Sequence, residues 1–317
     1  MTKFAFVFPG QGSQDVGMLA GFSENEIVQQ TLGEASDVLG FDVAKLIAEG
    51  PKESLDLTVN TQPLMLTANV AIYRAWRAAG GAAPTWVAGH SLGEYSALVA
   101  AGSLSFRDAL PLVRFRAQVM QDAVPLGQGG MAVVLGLSAE QVRAVCAATL
   151  QELPHDVVQG VNFNAPEQVV IAGHTQAVER ACVLAMEQGA RRAMKLPVSA
   201  PFHSSLLEPA SRHLHEYLQG VPICVPEIAV LNNVDVMIQT EPDAIRAALV
   251  RQAFNPVRWV ETIQKFAVEG ATHVIECGPG KVLSGLTKRI ESSVIGGAIF
   301  DQASLDKVLA LLAEQTR

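Results

Sequence analysis

The first third of the chain contains two repeating patterns of apolar and polar residues. Short apolar runs are followed by longer segments in which apolar residues recur every three or four positions, and this pattern predicts strands that alternate with helices. The predicted strands lie at about 3–8 and 85–89, and the predicted helices at about 23–40, 61–79, after Ser91 and after Ser105. Such an alternation is typical of a mostly parallel sheet with helices on both faces.

A different pattern begins at the glycine-rich stretch 127–130. Four strands and two helices are predicted here in the order βαββαβ, which is the split unit of a ferredoxin-like domain. Ser138 and Thr175 are placed to cap the two helices. The strands are predicted at about 131–137, 157–162, 169–172 and 191–198, and the helices at about 138–150 and 175–188.

The chain then returns to the α/β alternation. We therefore expect a large α/β domain, residues 1–126 and 199–317, with a small ferredoxin-like subdomain, residues 127–198, inserted into it. An insertion of this kind creates a cleft at the junction, where ligands commonly bind. The returning helices are predicted at about 205–218, 242–251 and 259–269, and the returning strands at about 228–232 and 273–277.

The pentapeptide Gly-His-Ser-Leu-Gly at 89–93 connects a predicted strand to a helix-forming segment. A strand that reverses sharply into a helix leaves no room for Cβ atoms two residues before and after the turn, so this pattern indicates a nucleophile elbow. Ser91 is then expected at the carboxyl end of its strand and at the positive end of a helix dipole. The parallel-sheet core is accordingly expected to be α/β-hydrolase-like.

Composition and charge restrict the class of protein. With 317 residues, 49% hydrophobic and 17% charged, the sequence is typical of a soluble enzyme of roughly two domains. A formal net charge of −8 argues against nucleic-acid binding, which needs a basic surface. No apolar stretch reaches the roughly 18 residues of a membrane helix, and the first strand is too short for a signal peptide. We expect a cytoplasmic protein.

Neither the cysteines nor the glycine-rich stretches indicate a cofactor. The four cysteines are scattered without a Cys-x-x-Cys pair, so no zinc site and no disulfide framework is predicted, and all four are expected to be buried thiols. The glycine-rich stretches 8–15 and 275–282 depart from the spacing of dinucleotide and phosphate-binding loops. The cysteines are Cys146, Cys182, Cys224 and Cys277.

A serine nucleophile needs a base, and histidine is the usual one. Two of the seven histidines are candidates. His203 lies on the loop where the chain leaves the small subdomain, and His273 lies near the end of a late strand. His90 is expected to point away from Ser91 and to have a structural role, and the histidines of the polar segment 205–218 are expected to be solvated. The residues alone leave the choice between His203 and His273 open.

Arg116 is placed unusually for a charged residue. It belongs to a predicted helix that Ser105 and Asp108 begin as a capping box, and it lies on the apolar side of that helix. A buried guanidinium needs an anion to offset its desolvation, and its planar fork suits a carboxylate. The alternatives are a side chain that extends to solvent or one that pairs with a structural acid such as Glu94.

Six motifs together resemble one family, the malonyl-CoA:acyl carrier protein transacylases of bacterial fatty-acid synthesis and the related acyltransferase domains of polyketide synthases. The resemblance extends over nearly the whole chain, and the motifs occur in the order of the family. They lie at 8–14, 89–95, 161–166, 201–204, 252–259 and 278–283.

The resemblance implies a role for two reacting groups and their partners. Ser91 would be the acylated nucleophile and His203 its base, which decides the choice against His273. In this family a main-chain carbonyl rather than an acid orients the histidine, and Gln252 is at the matching position. The backbone amides of Gln11 and Leu92 would form the oxyanion hole.

The resemblance also implies how the substrate is recognised. Arg116 would bind the free carboxylate of the malonyl group. Phe202 matches the bulky residue that is associated with malonyl rather than 2-methylmalonyl substrates, and Asn162 would line the cleft. The implied reaction transfers malonyl from malonyl-CoA to the phosphopantetheine thiol of acyl carrier protein, through a malonyl-serine and without a metal or other cofactor.

Acyl carrier protein is usually acidic, so a local basic surface is expected on this otherwise acidic protein, which we expect to be a monomer. Two groups of basic residues are candidates for it, one in the small subdomain and one in a late segment of the large domain. They are Arg191, Arg192 and Lys195 in the former, and Lys281, Lys288 and Arg289 in the latter.

Three alternative functions remain. A serine hydrolase of the α/β class requires an acid between the nucleophile and the histidine in chain order, for which Asp235 or Asp243 with His273 would serve. A trans-acting polyketide acyltransferase would share the chemistry but use another carrier. A catalytically silent scaffold would bind the carrier protein without reacting with it.

Overall fold

The structure, a computed structural model, describes residues 3–198 and 200–314. Residues 1–2 and 315–317 lie outside the described residues, as does Ser199, at which the second segment of the predicted large domain begins. The fold belongs to the α/β class, as the alternation of strands and helices predicted.

The first part of the chain forms two strands and six helices. The strands are β1 (Phe4–Phe8) and β2 (Trp86–Gly89), and the helices are α1 (Glu26–Leu39), α2 (Val43–Glu49), α3 (Lys52–Leu55), α4 (Thr58–Ala78), α5 (Gly93–Ala100) and α6 (Phe106–Asp122). The short helices α2 and α3 were not predicted from the sequence.

The middle part forms the predicted βαββαβ unit. Its elements are β3 (Gly129–Leu135), α7 (Ala139–Glu152), β4 (Val158–Ala165), β5 (Gln168–His174), α8 (Thr175–Glu187) and β6 (Arg192–Lys195). The four strands form an antiparallel sheet in the order β4-β5-β3-β6, which is the ferredoxin-like arrangement.

The last part returns to the large sheet and contains more elements than the sequence predicted. It forms α9 (Glu208–Gln219), β7 (Ala229–Leu231), α10 (Pro242–Gln252), α11 (Trp259–Val268), β8 (His273–Cys277), α12 (Val282–Ile290), β9 (Ile295–Ile299) and α13 (Gln302–Glu314). The elements α12, β9 and α13 were not predicted.

The large sheet is parallel throughout, in the order β7-β2-β1-β8-β9. Both faces of its central strand β1 are buried, and this explains why β1 reads as an apolar run instead of alternating with polar residues. Phe6 and Phe8 pack into one core cluster, and Ala5 and Val7 pack into the cluster on the opposite face. In register Phe8 lies beside Gly89, so both strands end at the edge where the elbow begins.

The small antiparallel sheet also has two apolar faces. Ala132 and Val134 of β3 pack against α7 and α8, while Met131 and Val133 face the other way, into a cluster that contains Met120 of α6. This second cluster also includes Phe202 and Leu207. This face of the small sheet therefore packs against α6 and against the segment 200–207, which carries His203.

Two of the three helix caps predicted from the sequence are present in the structure. The Ser138 hydroxyl accepts a hydrogen bond from the Gln141 amide in a reciprocal capping box. Ser105 caps α6 by accepting from the Asp108 amide. The prediction for Thr175 was wrong, because His174 occupies the N-cap position and the Thr175 hydroxyl instead donates to the carbonyl of Gly127 at 2.8 Å.

The four cysteines differ in their exposure to solvent. Cys146 and Cys277 are buried and Cys182 is half-buried, but Cys224 is exposed, so the prediction that all four thiols are buried was wrong. Cys224 lies in the connection after α9, where its backbone pairs with Ser103 and its side chain is exposed.

Among residues 3–198 and 200–314, no helix combines the length and the apolar character needed to cross a membrane.

Candidate active site

The turn between β2 and α5 is a tight elbow that only glycine can flank. A Cβ atom on Gly89 would lie 1.8 Å from the carbonyl carbon of Gly93, and one on Gly93 would lie 2.0 Å from the carbonyl oxygen of Phe8. Ser91 at the tip of the turn has a φ of 52°, in the left-handed region that L-residues rarely adopt. Packing thus forces the serine into a strained conformation at the start of α5.

His203 contacts the elbow from the loop that follows the small subdomain. Its Nε2 lies 2.7 Å from the Oγ of Ser91, and its Nδ1 lies 2.8 Å from the backbone carbonyl oxygen of Gln252. A carbonyl oxygen can only accept, so Nδ1 carries the proton and Nε2 is free to accept the serine proton. His203 also has a positive φ, of 64°.

The surroundings keep the His203 imidazole neutral. Burial lowers the pKa of His203 to about 3, and the nearby positive charge of Arg116 lowers it further in the same direction. At neutral pH the ring is therefore an acceptor for a proton.

The other candidate histidine is remote from the elbow. His273 is the first residue of β8 and pairs in register with Phe4, which places it at the amino edge of the sheet, whereas Ser91 follows the carboxyl edge. Its Nδ1 lies 2.9 Å from the hydroxyl of Thr272. The structure brings His203 and not His273 to Ser91.

The acids that a hydrolase would need have other partners. Asp235 accepts two hydrogen bonds of 2.6 Å from Arg251, and Asp243 accepts one of 2.8 Å from Arg246. His203 bonds to the hydroxyl of Ser91 and to the carbonyl of Gln252 rather than to either carboxylate. The arrangement at the elbow thus uses a carbonyl where a hydrolase would have an acid.

Arg116 is buried beside the serine, as its place on the apolar side of α6 predicted. The guanidinium donates to the side-chain oxygen of Gln62 at 2.8 Å, to that of Gln252 at 2.9 Å, and to the Oγ of Ser91 at 3.1 Å. It also lies over the ring of Tyr95, 5.3 Å from the ring centroid. Burial lowers the pKa of Arg116 from its usual value. The nearby carboxylate of Glu94 acts on its charge, but its direct acceptors are neutral oxygens. A carboxylate that entered here would give the desolvated guanidinium a directly bonded anion.

Gln11 and Leu92, whose backbone amides are expected to form an oxyanion hole, both lie near Ser91. Leu92 occupies the N-cap position of α5, where a backbone amide has no acceptor within the helix. Gln11 approaches from the loop after β1, and Gly10 permits this because a Cβ there would lie 2.4 Å from the carbonyl oxygen of His90. Gln11 and Leu92 both line the cavity that contains Ser91 and His203.

The remaining walls of this cavity are mostly apolar and come from both parts of the fold. Asn162 of β4 and Phe202 line it. The side-chain oxygen of Asn162 is buried, and no described residue donates a hydrogen bond to it. The apolar wall residues are Met120, Met131, Leu196 and Val198.

His90 has the structural position that was expected. Its Nε2 lies 2.8 Å from the side-chain oxygen of Asn164 on β4, and its ring packs on Trp259 with the ring centroids 5.4 Å apart. Burial lowers the pKa of His90. The contact joins the elbow to the small sheet across the cleft.

Sequence reasoning missed three polar residues around the elbow. Asn233 accepts from the amide of Ser91 at 2.8 Å and donates to the carbonyl of Gly89 at 2.7 Å. Gln62 holds Arg116, and Glu94, which had been considered only as an alternative partner of Arg116, accepts from Gln252 at 2.9 Å. The sequence shows that polar residues lie near apolar segments and would need partners if buried, but it does not show which distant residues those partners are.

Glu94 is a buried carboxylate next to these amides. Burial raises its pKa to about 7, and hydrogen bonds from Gln252 and Asn233 offset part of that effect.

Metal-binding residues are also a possible part of such a site. No group of three or more His, Cys, Asp or Glu residues in the described part of the chain could hold an ion.

Comparison with known proteins places these features in one family. The family model described as acyl transferase domain matches residues 5–297. The malonyl CoA-acyl carrier protein transacylase of Escherichia coli (strain K12) is 49% identical over 98% of this chain and 100% of its own length.

Solved structures of similar proteins belong to the same family. The acyl-carrier-protein S-malonyltransferase of Burkholderia pseudomallei 1710b is 64% identical, with a TM-score of 0.96 over 98% of this chain and 100% of that chain. A malonyl-transacylase solved in complex with its type II PKS acyl-carrier protein is 49% identical, with a TM-score of 0.95 over 98% of this chain and 100% of that chain. The chain therefore belongs to the acyl transferase domain family, among the malonyl CoA-acyl carrier protein transacylases.

Proposed function

We propose that this protein transfers a malonyl group from malonyl-CoA to the phosphopantetheine thiol of acyl carrier protein, and so supplies fatty-acid chain elongation. The observation that carries the proposal is the convergence of three groups. The Oγ of Ser91 lies 2.7 Å from the base nitrogen of His203 and 3.1 Å from the guanidinium of Arg116.

In the first half-reaction Ser91 attacks the thioester carbonyl of malonyl-CoA. His203 accepts the hydroxyl proton at Nε2, and the negative charge of the tetrahedral intermediate lies on the former carbonyl oxygen. The backbone amides of Gln11 and Leu92 donate to that oxygen, and each such donor typically contributes about 3 kcal/mol. The carbon–sulfur bond then breaks, and His203 returns its proton to the sulfur of coenzyme A.

In the second half-reaction the carrier thiol takes the place of coenzyme A. It gives its proton to His203 and attacks the ester carbonyl of malonyl-Ser91, and the proton returns to the Oγ of Ser91 as the ester breaks. A covalent intermediate of this kind gives ping-pong kinetics.

Arg116 selects for an acyl group that ends in a carboxylate. A malonyl carboxylate would replace neutral acceptors around a guanidinium that is only 1% exposed, and a charge-assisted pair is stronger there than in water. Phe202, which is buried against the same cavity, would leave little space for a substituent on the malonyl carbon.

Transfer rather than hydrolysis follows from two features of the site. The Nδ1 of His203 bonds to a neutral carbonyl, so no acid increases its basicity toward water. The grip of Arg116 would hold the acyl group over the serine and keep the cavity occupied. The serine-hydrolase alternative is not favoured, because the histidine that it needs lies at the opposite edge of the sheet.

Three of the six candidate basic residues lie together and would contact the acidic carrier. Arg191, Arg192 and Arg289 line one depression, to which the small subdomain and α12 both contribute. Arg191 pairs with Glu167 at 2.9 Å on the wall of this depression. Outside it, Lys195 pairs with Glu179 at 2.6 Å, and Lys281 lies 4.3 Å from the ring centroid of Phe300. The type II PKS carrier bound by one relative makes a polyketide carrier the second candidate partner.

The remaining expectations are part of the same proposal. The large domain would comprise residues 1–126 and 199–317 and the small subdomain residues 127–198, and the small sheet at Gly129–Lys195 supports this division. The protein would act as a monomer in the cytoplasm and would need no cofactor, since coenzyme A enters only as the thioester substrate.

The test is a reconstituted transfer. The purified protein is mixed with malonyl-CoA and phosphopantetheinylated acyl carrier proteins from fatty-acid and polyketide synthesis, and the products are resolved by mass spectrometry. We expect malonyl-carrier, parallel lines in double-reciprocal plots, and no transfer by Ser91→Ala. Release of free malonate without malonyl-carrier would support the hydrolase, and absence of any reaction would support the silent scaffold.

A further inference from the structure

Glu94 is a buried charged group that the reaction described above does not use. It lies on the first turn of α5, three residues after Ser91, and its side chain is 2% exposed. One of its oxygens, Oε2, accepts two hydrogen bonds of 2.9 Å, from the backbone amide of Asn233 and from the side-chain amide of Gln252. Both donors lead directly to the reacting groups.

The first donor, Asn233, holds the elbow. Its side chain accepts from the amide of Ser91 and donates to the carbonyl of Gly89, so it bridges the two arms of the turn. By fixing the backbone of Asn233, Glu94 supports the strained conformation of Ser91.

The second donor, Gln252, holds the base and the guanidinium. Its carbonyl oxygen accepts from the Nδ1 of His203, its side-chain oxygen accepts from Arg116 at 2.9 Å, and its side-chain amide also donates to the carbonyl of Ser91 at 3.0 Å. One residue thus contacts all three groups of the proposed mechanism.

Glu94 acts with the Ser91 carbonyl and with Arg116 to determine which way the Gln252 amide faces. A carboxylate only accepts, so the NH₂ group of Gln252 must point to Glu94 and its oxygen must point to Arg116. In the opposite orientation the NH₂ group would face the guanidinium, which only donates, and the oxygen would face the carboxylate. Both contacts would then be repulsive.

We propose that Glu94 is a positioning residue that, through Gln252, aims the Arg116 guanidinium at the substrate carboxylate and thereby sets the preference for malonyl over uncharged acyl groups. The inference rests on the proposed function, because it concerns the acyl group that Ser91 accepts. It predicts that loss of the carboxylate changes selectivity and not only the overall rate.

The test compares acylation of Ser91 by malonyl-CoA and by acetyl-CoA in the full-length protein. The variants are Glu94→Leu, which removes both acceptors, and Glu94→Gln, which keeps the size but can present either NH₂ or oxygen to Gln252. Glu276→Gln is the matched control, since Glu276 is also a fully buried carboxylate but accepts from the amide of Ser284 at the start of α12. Circular dichroism and thermal melting establish that each variant folds.

We expect the ratio of kcat/KM for malonyl-CoA to that for acetyl-CoA to fall roughly tenfold to hundredfold in Glu94→Leu, the range for a lost hydrogen bond to a charged group. Glu94→Gln should lie between Glu94→Leu and the wild type, and Glu276→Gln should keep the wild-type ratio. If Glu94→Leu does not fold, the lowered ratio of Glu94→Gln alone carries the test.

An unchanged ratio in the folded Glu94 variants, with both rates lowered equally, would overturn the inference and leave only a structural role. A wild-type protein that malonyl-CoA does not acylate would instead overturn the proposed function, and this inference with it.

Discussion

The Oγ of Ser91 and the Nε2 of His203 lie 2.7 Å apart across 112 positions of sequence, and both residues have a positive φ, of 52° and 64°. Strained backbone of this kind persists only where surrounding contacts determine it. Here the flanking glycines and Asn233 hold the serine, and the carbonyl of Gln252 holds the histidine. The fold therefore maintains two unfavourable conformations so that a hydroxyl and an imidazole can meet.

Replacement of the histidine should stop acylation. We expect His203→Ala to lower the rate of coenzyme A release from malonyl-CoA roughly 10³-fold, the usual contribution of a general base. His273→Ala is the control at the other candidate position, and it should retain acylation of Ser91. A stopped-flow thiol assay measures both variants, and the opposite result, with His273 essential and His203 dispensable, would favour a hydrolase.

Loss of the guanidinium should change which acyl group is accepted. In Arg116→Ala we expect kcat/KM for malonyl-CoA to fall roughly hundredfold, because a buried charge-assisted pair is lost, while acetyl-CoA is affected much less. Arg114→Ala removes an exposed arginine from the same helix and should leave both rates unchanged. Undiminished malonyl transfer by Arg116→Ala, without any gain in preference for neutral acyl groups, would mean that Arg116 does not bind the carboxylate.

The acid limb of the pH profile should lie far below the ordinary histidine range. Burial and the charge of Arg116 lower the pKa of His203 to about 3, so the neutral ring that accepts the serine proton persists as the pH falls through 6.5. We expect kcat/KM for acylation to show no His203 limb between pH 5 and 8. Glu94, whose pKa is raised to about 7, also titrates in this window, and the Glu94→Gln variant removes that group. A limb near pH 6.5 that remains in Glu94→Gln would show that His203 is not shielded in this way.

The carrier should be bound through the three clustered arginines. Reversal of two charges, in Arg192→Glu with Arg289→Glu, is expected to raise KM for the acidic carrier roughly tenfold at low salt, with a smaller effect as ionic strength rises. KM for malonyl-CoA should not change. Lys45→Glu with Lys307→Glu, at exposed positions on α2 and α13, makes the same change in net charge elsewhere on the surface. Equal responses to the lysine and the arginine reversals would indicate that only the overall charge matters.

Local patterns were sufficient for the parts of the fold that local rules determine. The elbow follows from the spacing of Gly89 and Gly93, because backbone lies within 2.0 Å of where their Cβ atoms would be. The cap of Ser138 follows from the hydroxyl and Gln141 at the helix start. The prediction that Thr175 caps α8 was wrong because the preceding residue, His174, has the extended backbone of the N-cap position. A prediction based on the type of side chain does not detect this.

The elements that were missed differ in how detectable they were. The strand β9 contains two adjacent glycines, Gly296 and Gly297, and glycine is depleted in strands. The helix α2 has only seven residues, too few to establish a period. In contrast, α13 carries apolar residues at helical spacing, including Leu305, Val308 and Leu312, so its signal was present in the sequence.

The site residues also differ in how far the sequence alone could predict them. Ser91 and Arg116 were found from local context, since one lies in an elbow and the other is a charge on an apolar helix face. The choice of His203 required the resemblance, and Asn233 and Gln62 were missed, because their partners come from distant segments that only the folded chain brings together. Buried polar networks depend on tertiary proximity, which periodicity along the chain does not encode.

The most direct test of the central claim is the intact mass of the protein after brief incubation with malonyl-CoA in the absence of carrier protein. The account predicts a single added malonyl group, located on Ser91 by peptide mapping, absent from Ser91→Ala and from His203→Ala, and removed when phosphopantetheinylated carrier is added. An adduct on another residue, or a malonyl-Ser91 that forms equally well without His203, would contradict it.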